Sequence, residues 1–389
     1  MGRSFAAALG GWQPFSVLTF ASLREIYSSS LIPVEQLIHR STLFAIWYLL
    51  FAIRSASSCG CGKAVLQELP PMNESFRYVL RLSIFTVLIF VTFCFLDVRA
   101  FLSGANMSSM AYQLPQFALL ALAIHPTMLT GGIDLSVVSV ANLAAIAAAF
   151  TMKAGPPWFI GLGILVAVLL GCVTGAINGL LVAGARLPAI LATLGTMQFF
   201  QGVSILWTHG SSITGLPPAY SAFGNGAFFQ IPVPLIVFLI ALAAIYLITA
   251  RTPLGKQMRL YGTNPRAAVF AGIPTFRILV ITYMISGITA AVGGLVILSA
   301  ANSANADYGT SFLLLSVLIN ILAGVNPNGG SGTVFGLVLA VLSLQFLSSG
   351  LNLLAVNTFA KDLLYGMLLV TVMVVNRLQG RIHSTRAKA

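Results

Sequence analysis

The clearest shortage in this sequence is charge. Of 389 residues, 20 are Lys or Arg and 8 are Asp or Glu, so 7% of the chain is charged, whereas apolar residues make up 58%. A soluble domain covers its surface with roughly 25% charged residues, and this chain has too few to do so. The composition therefore excludes a soluble enzyme, a secreted disulfide-rich domain and a disordered protein, and it indicates a polytopic membrane protein.

Cysteine and histidine are also scarce, at four residues each. Cys59 and Cys61 form Cys-Gly-Cys rather than Cys-x-x-Cys, and no histidine lies near them, so the sequence predicts no metal site. The glycine-rich segment 324–332 lacks the Lys-Ser/Thr ending of a phosphate loop, and no such loop occurs elsewhere in the sequence. We therefore expect no cofactor on this chain, and any ATP with its Mg²⁺ to bind a separate subunit.

The first 71 residues differ from the rest. They hold five basic and three acidic residues, and their one apolar run, Leu43–Ile53, is too short to cross about 30 Å of hydrocarbon. No sustained apolar segment follows Arg3, which argues against a signal peptide. We interpret residues 1–71 as a poorly ordered or wrongly assigned N-terminal extension, with an interfacial amphipathic segment at 37–53 as the alternative. The transmembrane domain is then 72–389.

From Met72 onward, apolar runs alternate with short polar gaps. The pattern predicts an all-α polytopic membrane protein with about ten transmembrane helices. Several are short, so we expect broken or tilted helices among them. The predicted spans lie at about 82–97, 112–129, 136–152, 158–182, 188–208, 231–250, 277–299, 311–323, 333–350 and 360–376.

The basic residues predict the orientation. If the chain before the first span is cytoplasmic, twelve of the fifteen basic residues after Met72 lie on the cytoplasmic side, and three (Arg99, Lys153 and Lys361) lie on the other. Because cytoplasmic loops are rich in Lys and Arg, both ends of this core are predicted to be cytoplasmic. Five of the twelve lie in the gap 251–277.

Glycines mark one close helix contact. Gly171, Gly175 and Gly179 recur every four residues, so they lie on one face of the fourth span. Without side chains on that face, another helix can approach its backbone closely. We interpret this pattern as packing and not as chemistry.

Two glycine-rich interruptions predict turns beside the spans. In Thr130–Ser136, Gly131 and Gly132 permit a tight or left-handed turn. Asp134 then either caps the next helix or forms a proton or ion site, and the capping interpretation is favoured. In segment 324–332, a cytoplasmic turn opens into the next span; its glycines with a predicted structural or gating role are Gly329, Gly330 and Gly332.

The basic gap 251–277 contains the signature of a short helix. Asn264 is a suitable N-cap, Pro265 a suitable first residue, and Gly272 a suitable end. A short capped helix in a cytoplasmic loop indicates a docking element. The alternative is an ordinary loop whose charges only reflect the positive-inside rule. The predicted coupling residues are Asn264, Pro265, Arg266, Ala267, Ala268 and Gly272.

Neutral amides recur within or beside the spans. Each amide offers both a hydrogen-bond donor and an acceptor, which suits a hydroxylated, uncharged solute. The alternative for each is a hydrogen bond between helices. The predicted solute-path residues are Gln116, Asn142, Gln198, Asn320 and Asn352.

These features together resemble a known family. T-G-G-I-D-L-S-V at Thr130–Val137 is similar to the signature of the ribose/xylose/arabinose-type permeases of bacterial ABC importers, within the branched-chain amino acid/ribose permease superfamily. The resemblance covers about residues 76–376. Its further blocks, in the order of that family, are Pro188–Thr196, Arg251–Met258, Gly262–Ala268, Gly329–Gly336 and Ser348–Leu354.

The resemblance implies a non-catalytic permease subunit of an ATP-driven importer in the bacterial inner membrane. Two permease copies, or this chain with a paralogue, would form the pathway. ATPase subunits would dock on 251–277, a periplasmic binding protein would deliver a monosaccharide, and ATP would switch access between the two sides.

Two other functions remain open from the residues alone. An ion-coupled secondary transporter commonly carries acidic residues within the membrane, but here only Asp134, and Asp97 and Asp362 at span ends, are available. A membrane scaffold or receptor without transport would leave the amide-rich spans unexplained.

Overall fold

The computed structural model describes residues 74–153 and 155–386. The predicted extension 1–71, with Cys59 and Cys61, lies outside these residues. Within them the fold is built from helices joined by short turns and two small β-ribbons. The elements are α1 (Glu74–Leu96), α2 (Val98–Phe101), α3 (Gly104–Leu129), α4 (Val137–Lys153), α5 (Phe159–Ala183), α6 (Ala189–Thr208), β1 (Ile213–Thr214), α7 (Pro218–Asn225), β2 (Ala227–Phe228), β3 (Ile231–Pro232), α8 (Val233–Tyr246), α9 (Pro253–Thr263), α10 (Pro265–Phe270), α11 (Thr275–Ala301), β4 (Ser303–Ala304), α12 (Thr310–Leu322), α13 (Val334–Leu353) and α14 (Thr358–Arg386).

The predicted all-α membrane fold is confirmed, and each predicted span has a helix at its position. In the described part of the chain, seven helices are long and apolar enough to cross a membrane, namely α1, α3, α5, α6, α8 with its extension to Arg251, α11 and α13. The apolar helices α4 and α12 are shorter. This agrees with the expectation of short or broken spans.

Helix α3 begins earlier than the apolar pattern predicted. Its start is set by Ser103, whose hydroxyl accepts a hydrogen bond from the backbone N–H of Asn106 at 3.2 Å. A serine in this position satisfies an otherwise unpaired N–H group. The helix therefore includes polar residues from Gly104 onward that hydropathy assigned to a loop.

Helix α11 is the centre of the bundle, where it packs against α5, α3 and α4. The predicted glycine face of α5 meets it. A β-carbon added at Gly179 would lie 2.7 Å from Cα of Val280, and one added at Gly175 would overlap the backbone of Tyr283. The predicted close approach of two helix backbones is thus confirmed, with α11 as the partner.

The segments between α6 and α8 and after α11 meet in a two-stranded ribbon that the sequence did not predict. Strand β1 pairs antiparallel with β4, with Ile213 opposite Ala304. Beside this ribbon, Nδ2 of Asn142 in α4 donates to the carbonyl oxygens of Ala306 and Tyr308 at 2.7 and 2.8 Å. By the charge-based orientation, this ribbon lies on the extracytoplasmic side.

The basic segment 251–277 is more structured than predicted. Helix α8 continues as a π-helix over Leu247–Arg251, and α9 follows with Pro253 at its first position. Helix α10 comes directly after α9. The sequence predicted α10 but not α9, because the two glycines and the charges of α9 are typical of a loop.

Candidate coupling region and solute path

Helix α10 has the capped geometry that the sequence predicted. Asn264 has an extended backbone, and its Oδ1 accepts a hydrogen bond from the N–H of Ala267 at 3.0 Å. Pro265 is the first residue of the helix. Gly272, with φ of +72°, lies in the left-handed turn that follows. The predicted helix is confirmed, and its docking role stays a prediction.

Large apolar side chains are among the exposed residues of this region. Phe270 is 92% exposed, and Val269 and Leu260 are 59% and 57% exposed. We call these three residues the apolar docking patch. Arg266 and Ala267 are exposed beside the patch, whereas Ala268 is buried. The sequence interpretation emphasised the small residues and missed the patch, although apolar residues in a basic cytoplasmic gap are a usable signal.

Two polar side chains of α9 are half-buried. Burial lowers the pKa of the Arg259 guanidinium and raises the pKa of the Tyr261 phenol. An arginine remains charged in proteins and a phenol with a raised pKa remains neutral at pH 7. Helix α9 therefore carries its positive charge throughout the physiological pH range.

Four glycines join α9 to the transmembrane helices, and we call them the glycine junction. They are Gly131 after α3, Gly262 in α9, and Gly329 and Gly330 before α13. Gly131, Gly329 and Gly330 have φ of +79°, +93° and +88°, a conformation that side chains rarely permit. The structure thus brings together three of the glycines that the sequence marked as structural, and adds Gly262.

The backbones at the junction touch directly. The N–H of Gly330 donates to the carbonyl oxygen of Leu129 at 3.0 Å. A β-carbon at Gly262 would overlap that same oxygen and lie 2.5 Å from the nitrogen of Gly330. One at Gly131 would lie 2.9 Å from the carbonyl oxygen of Asn328. Helix α9 therefore packs with its backbone directly against the end of α3 and against the turn before α13.

Gly332, also marked as structural, lies next to this junction. A β-carbon there would lie 3.0 Å from side-chain atoms of Leu129 and Val325. It therefore packs against side chains, in contrast to the backbone contacts of Gly131 and Gly329. The side chains of Leu129 and Val325 would need to move by only a few tenths of an ångström to admit a methyl group. Gly332 is therefore more tolerant of substitution by alanine than the glycines of the junction.

Asp134 lies at the start of α4 and is buried. Its Oδ1 accepts hydrogen bonds from the N–H and the hydroxyl of Ser136 at 3.0 and 2.7 Å, and its Oδ2 accepts one from the hydroxyl of Ser286 at 2.8 Å. Nδ2 of Asn178 donates to the hydroxyl oxygen of Ser136 at 2.7 Å. The carboxylate thus caps the turn before α4 and ties it to α5 and α11, which supports the capping interpretation.

Gly132, the other glycine of this turn, explains how the turn fits against α11. A β-carbon there would lie 2.5 Å from the hydroxyl oxygen of Tyr283. Tyr283 is fully buried, so its ring cannot move aside easily. A glycine is therefore required at 132 for a packing reason.

The predicted solute-path amides fall into three groups. Gln116 and Asn352 line one cavity, which α3, α12, α13 and α14 enclose. Asn142 holds the extracytoplasmic ribbon as described, and Asn320 is buried, with Nδ2 donating to the carbonyl oxygen of Ala121 at 2.7 Å. Gln198 is exposed on α6, away from the cavity. The structure therefore brings two of the five amides together, and places two others in backbone contacts.

Comparisons with known proteins agree with this architecture. The family described as "Branched-chain amino acid transport system / permease component" matches residues 106–373. The autoinducer 2 import system permease protein LsrD of Escherichia coli (strain SMS-3-5 / SECEC) is 36% identical over 262 residues, which cover 66% of this chain and 79% of that protein. The proteins of the same name from E. coli K12 and Shigella flexneri are 35% identical over the same length. No solved structure matches the chain.

The matched range extends from α3 into α14, so it includes the glycine junction, α9 and α10. The predicted multi-pass inner-membrane location is confirmed, and so is the role of a non-catalytic transport subunit that works with an ATPase and a substrate-binding protein. The alternatives of an ion-coupled transporter and of a scaffold are set aside. The chain belongs to the family of branched-chain amino acid transport system permease components, and it is the membrane-spanning permease subunit of an ABC importer.

Proposed function

We propose that this permease imports a monosaccharide or a sugar-like solute, and that autoinducer 2 is the first candidate. The proposal of autoinducer 2 comes from the relatives, whose names state that they import it. A neutral, hydroxylated solute also suits the chain, because charged residues are scarce in its spans and neutral amides are frequent.

The working assembly that we propose adds three components to this chain. A second copy of this chain or a paralogous permease completes the pathway. A periplasmic binding protein delivers the solute, and ATPase subunits bind ATP and Mg²⁺ on the cytoplasmic side. The apolar docking patch supports the position of the ATPase, because exposed apolar residues in a charged loop are typical of a protein interface.

The observation that carries the proposed mechanism is the glycine junction. An ATPase that moves α9 and α10 would move the end of α3 and the turn before α13, through the backbone contacts at Gly131, Gly262 and Gly330. The network of Asp134 would keep α4, α5 and α11 together as the part that does not move. Relative displacement of these two parts would alternate access between the two sides.

Reconstitution with partners tests the proposal. The chain would be purified with the ATPase and binding protein of its own gene cluster and placed in liposomes that contain ATP. We expect uptake of autoinducer 2 or of ribose, xylose or arabinose, and no uptake of leucine. Leucine is the comparison solute because the family description names branched-chain amino acids. Uptake of leucine alone, or uptake that an uncoupler abolishes at constant ATP, would contradict the proposal.

A further inference from the structure

A cavity of about 250 Å³, lined by both polar and apolar side chains, lies between α3, α12, α13 and α14. It is at the ends of these helices that the charge distribution places outside the cytoplasm, next to Lys361. Sites for drug-sized ligands measure roughly 300–1,000 Å³. This cavity is slightly smaller, which suits a solute of the size of a single sugar ring. We call it the outer cavity.

One side of the outer cavity is lined by amides and a charged pair. Nε2 of Gln116 makes only a long bond of 3.4 Å to the carbonyl oxygen of Tyr112. Oδ1 of Asn352 accepts a hydrogen bond from Nζ of Lys361. Among the described residues, no partner is in place for Oε1 of Gln116 or Nδ2 of Asn352. An acceptor and a donor are therefore available to hydroxyl groups of a solute.

The charges in the outer cavity balance. Lys361 and Asp362 both line it, and they are close enough to interact with each other. A phosphorylated or carboxylated solute would need an excess of cations there, because a buried anion requires a compensating charge. The balanced pair favours a neutral solute.

The other side of the outer cavity is aromatic. The rings of Phe117 and Phe312 lie with their centroids 6.3 Å apart at an angle of 60°, and the largely buried ring of Tyr365 also lines the wall. Sites for small ligands combine such apolar walls with a few well-placed polar groups. The C–H face of a sugar ring can pack on these rings while its hydroxyls reach the amides.

We propose that the outer cavity is a solute-binding subsite of the permease, which takes one neutral polyhydroxylated ring. Gln116 and Asn352 would bind its hydroxyls, and Phe117 and Phe312 would contact its apolar face. This inference rests on the proposed function, since it assumes that the importer carries such a solute. It assigns to one permease subunit a place where the solute pauses after its release from the binding protein.

The test measures solute transported per ATP hydrolysed. The complete complex would be reconstituted with wild-type permease or with the double variant Gln116→Leu/Asn352→Leu, and supplied with labelled ribose or autoinducer 2. Loss of two hydrogen bonds to the solute corresponds to a reduction of about tenfold. We expect the double variant to transport about tenfold less solute per ATP while its ATPase activity is retained.

A cavity-filling pair provides the matched control. Ser348→Trp fills the outer cavity, whereas Ser108→Trp places the same side chain on the exposed surface of α3 outside it. We expect Ser348→Trp to abolish uptake and Ser108→Trp to leave it unchanged, with both proteins present in the membrane in equal amounts.

The outcomes separate the two proposals. If the wild-type complex imports neither probe, the proposed function is wrong and the subsite is wrong with it. If the wild type imports a probe, but the double variant and Ser348→Trp transport as much solute per ATP as the wild type and Ser108→Trp, only the outer cavity is overturned as a subsite.

Discussion

The two ends of α3 differ in how they contact their neighbours. At the C-terminal end, the backbone of Leu129 touches Gly262 and Gly330, and that of Gly131 lies against Asn328 and Gly329. The junction has no space for a methyl group. Toward the N-terminal end, Gln113 and Gln116 line a cavity of about 250 Å³. Densely packed backbone transmits displacement, because it cannot deform without moving its neighbours, whereas a cavity can hold a solute. One helix therefore connects the part of the molecule suited to coupling with the part suited to binding.

The largest effect is expected from Gly262→Ala, which disrupts the glycine junction at the C-terminal end of α3. The added methyl group would overlap the carbonyl oxygen of Leu129, so the backbone has to shift, at a cost of about 1–3 kcal/mol or more. We expect uptake to fall to background. Gly202→Ala is the matched control, since nothing lies near a β-carbon at that position. Wild-type uptake by Gly262→Ala, at equal amounts in the membrane, would show that the junction does not couple.

The second largest effect is expected at the proposed contact between the ATPase and the apolar docking patch. Phe270→Ala removes the most exposed side chain of the apolar docking patch. Loss of a central aromatic residue from an interface weakens binding by about 2 kcal/mol, or roughly 30-fold. We expect the ATPase to bind the variant about 30-fold more weakly in a titration with purified subunits.

Phe359→Ala is the matched control for the docking patch. Phe359 is also strongly exposed, at 84%, but it lies at the start of α14, at the opposite end from the junction by the charge-based orientation. This variant should bind the ATPase with wild-type affinity. Equal weakening by both variants would argue that exposed phenylalanines stabilise the protein generally and do not form a docking surface.

Local patterns in the sequence predicted much of the helix arrangement but only part of the glycine junction. Apolar periodicity predicted the position of each span, and Asn264 with Pro265 predicted the start of α10. The spacing of Gly171, Gly175 and Gly179 predicted a close helix contact, and the structure identifies α11 as the partner. Each of these signals lies within one segment of the sequence. Gly262 gave no such signal, because its requirement for glycine arises from Leu129 and Gly330, which are distant in sequence and close only in the fold.

The candidate solute path was less predictable for the same reason. Asn142, Asn320, Gln116 and Asn352 are all amides in apolar surroundings, and no local pattern distinguishes them. The structure separates them by their partners: the first two bond to backbone carbonyl groups of other segments, and the last two lie in the outer cavity. A polar residue in a span therefore predicts that a partner exists, but it does not tell whether that partner is protein or solute.

A third variant tests the hydrogen-bond network of Asp134, which we propose holds α4, α5 and α11 together. Asp134→Asn keeps one acceptor for Ser136, but its amide group has one acceptor oxygen fewer for the hydroxyls of Ser136 and Ser286. Hydrogen bonds to a charged group contribute about 1.5–3 kcal/mol each, so we expect a loss of about 2 kcal/mol in stability, measured as a lower unfolding temperature in detergent.

Asp307→Asn serves as the control for Asp134, because Asp307 is an exposed aspartate that bonds to Nε2 of Gln201 at 2.9 Å. It should leave the unfolding temperature nearly unchanged. If Asp134 instead bound a coupling ion, Asp134→Asn would retain its stability and make uptake independent of the ion gradient. That result would replace the capping role.

The smallest effect is expected at the open end of α3. The hydroxyl of Tyr112 donates to the carbonyl oxygen of Asn225 at 3.0 Å, on the exposed surface. Tyr112→Phe removes only this hydroxyl, and such a bond contributes about 0.5–1 kcal/mol. We expect the unfolding temperature and uptake to remain close to those of the wild type. The variant Tyr246→Phe, at an exposed tyrosine, should behave in the same way. If Tyr112→Phe impaired uptake as strongly as Gly262→Ala, both ends of α3 would have to be rigid. The division of α3 into a coupling end and a binding end would then be wrong. A binding end must tolerate small structural changes, because a solute has to enter the outer cavity, whereas the glycine junction tolerates none.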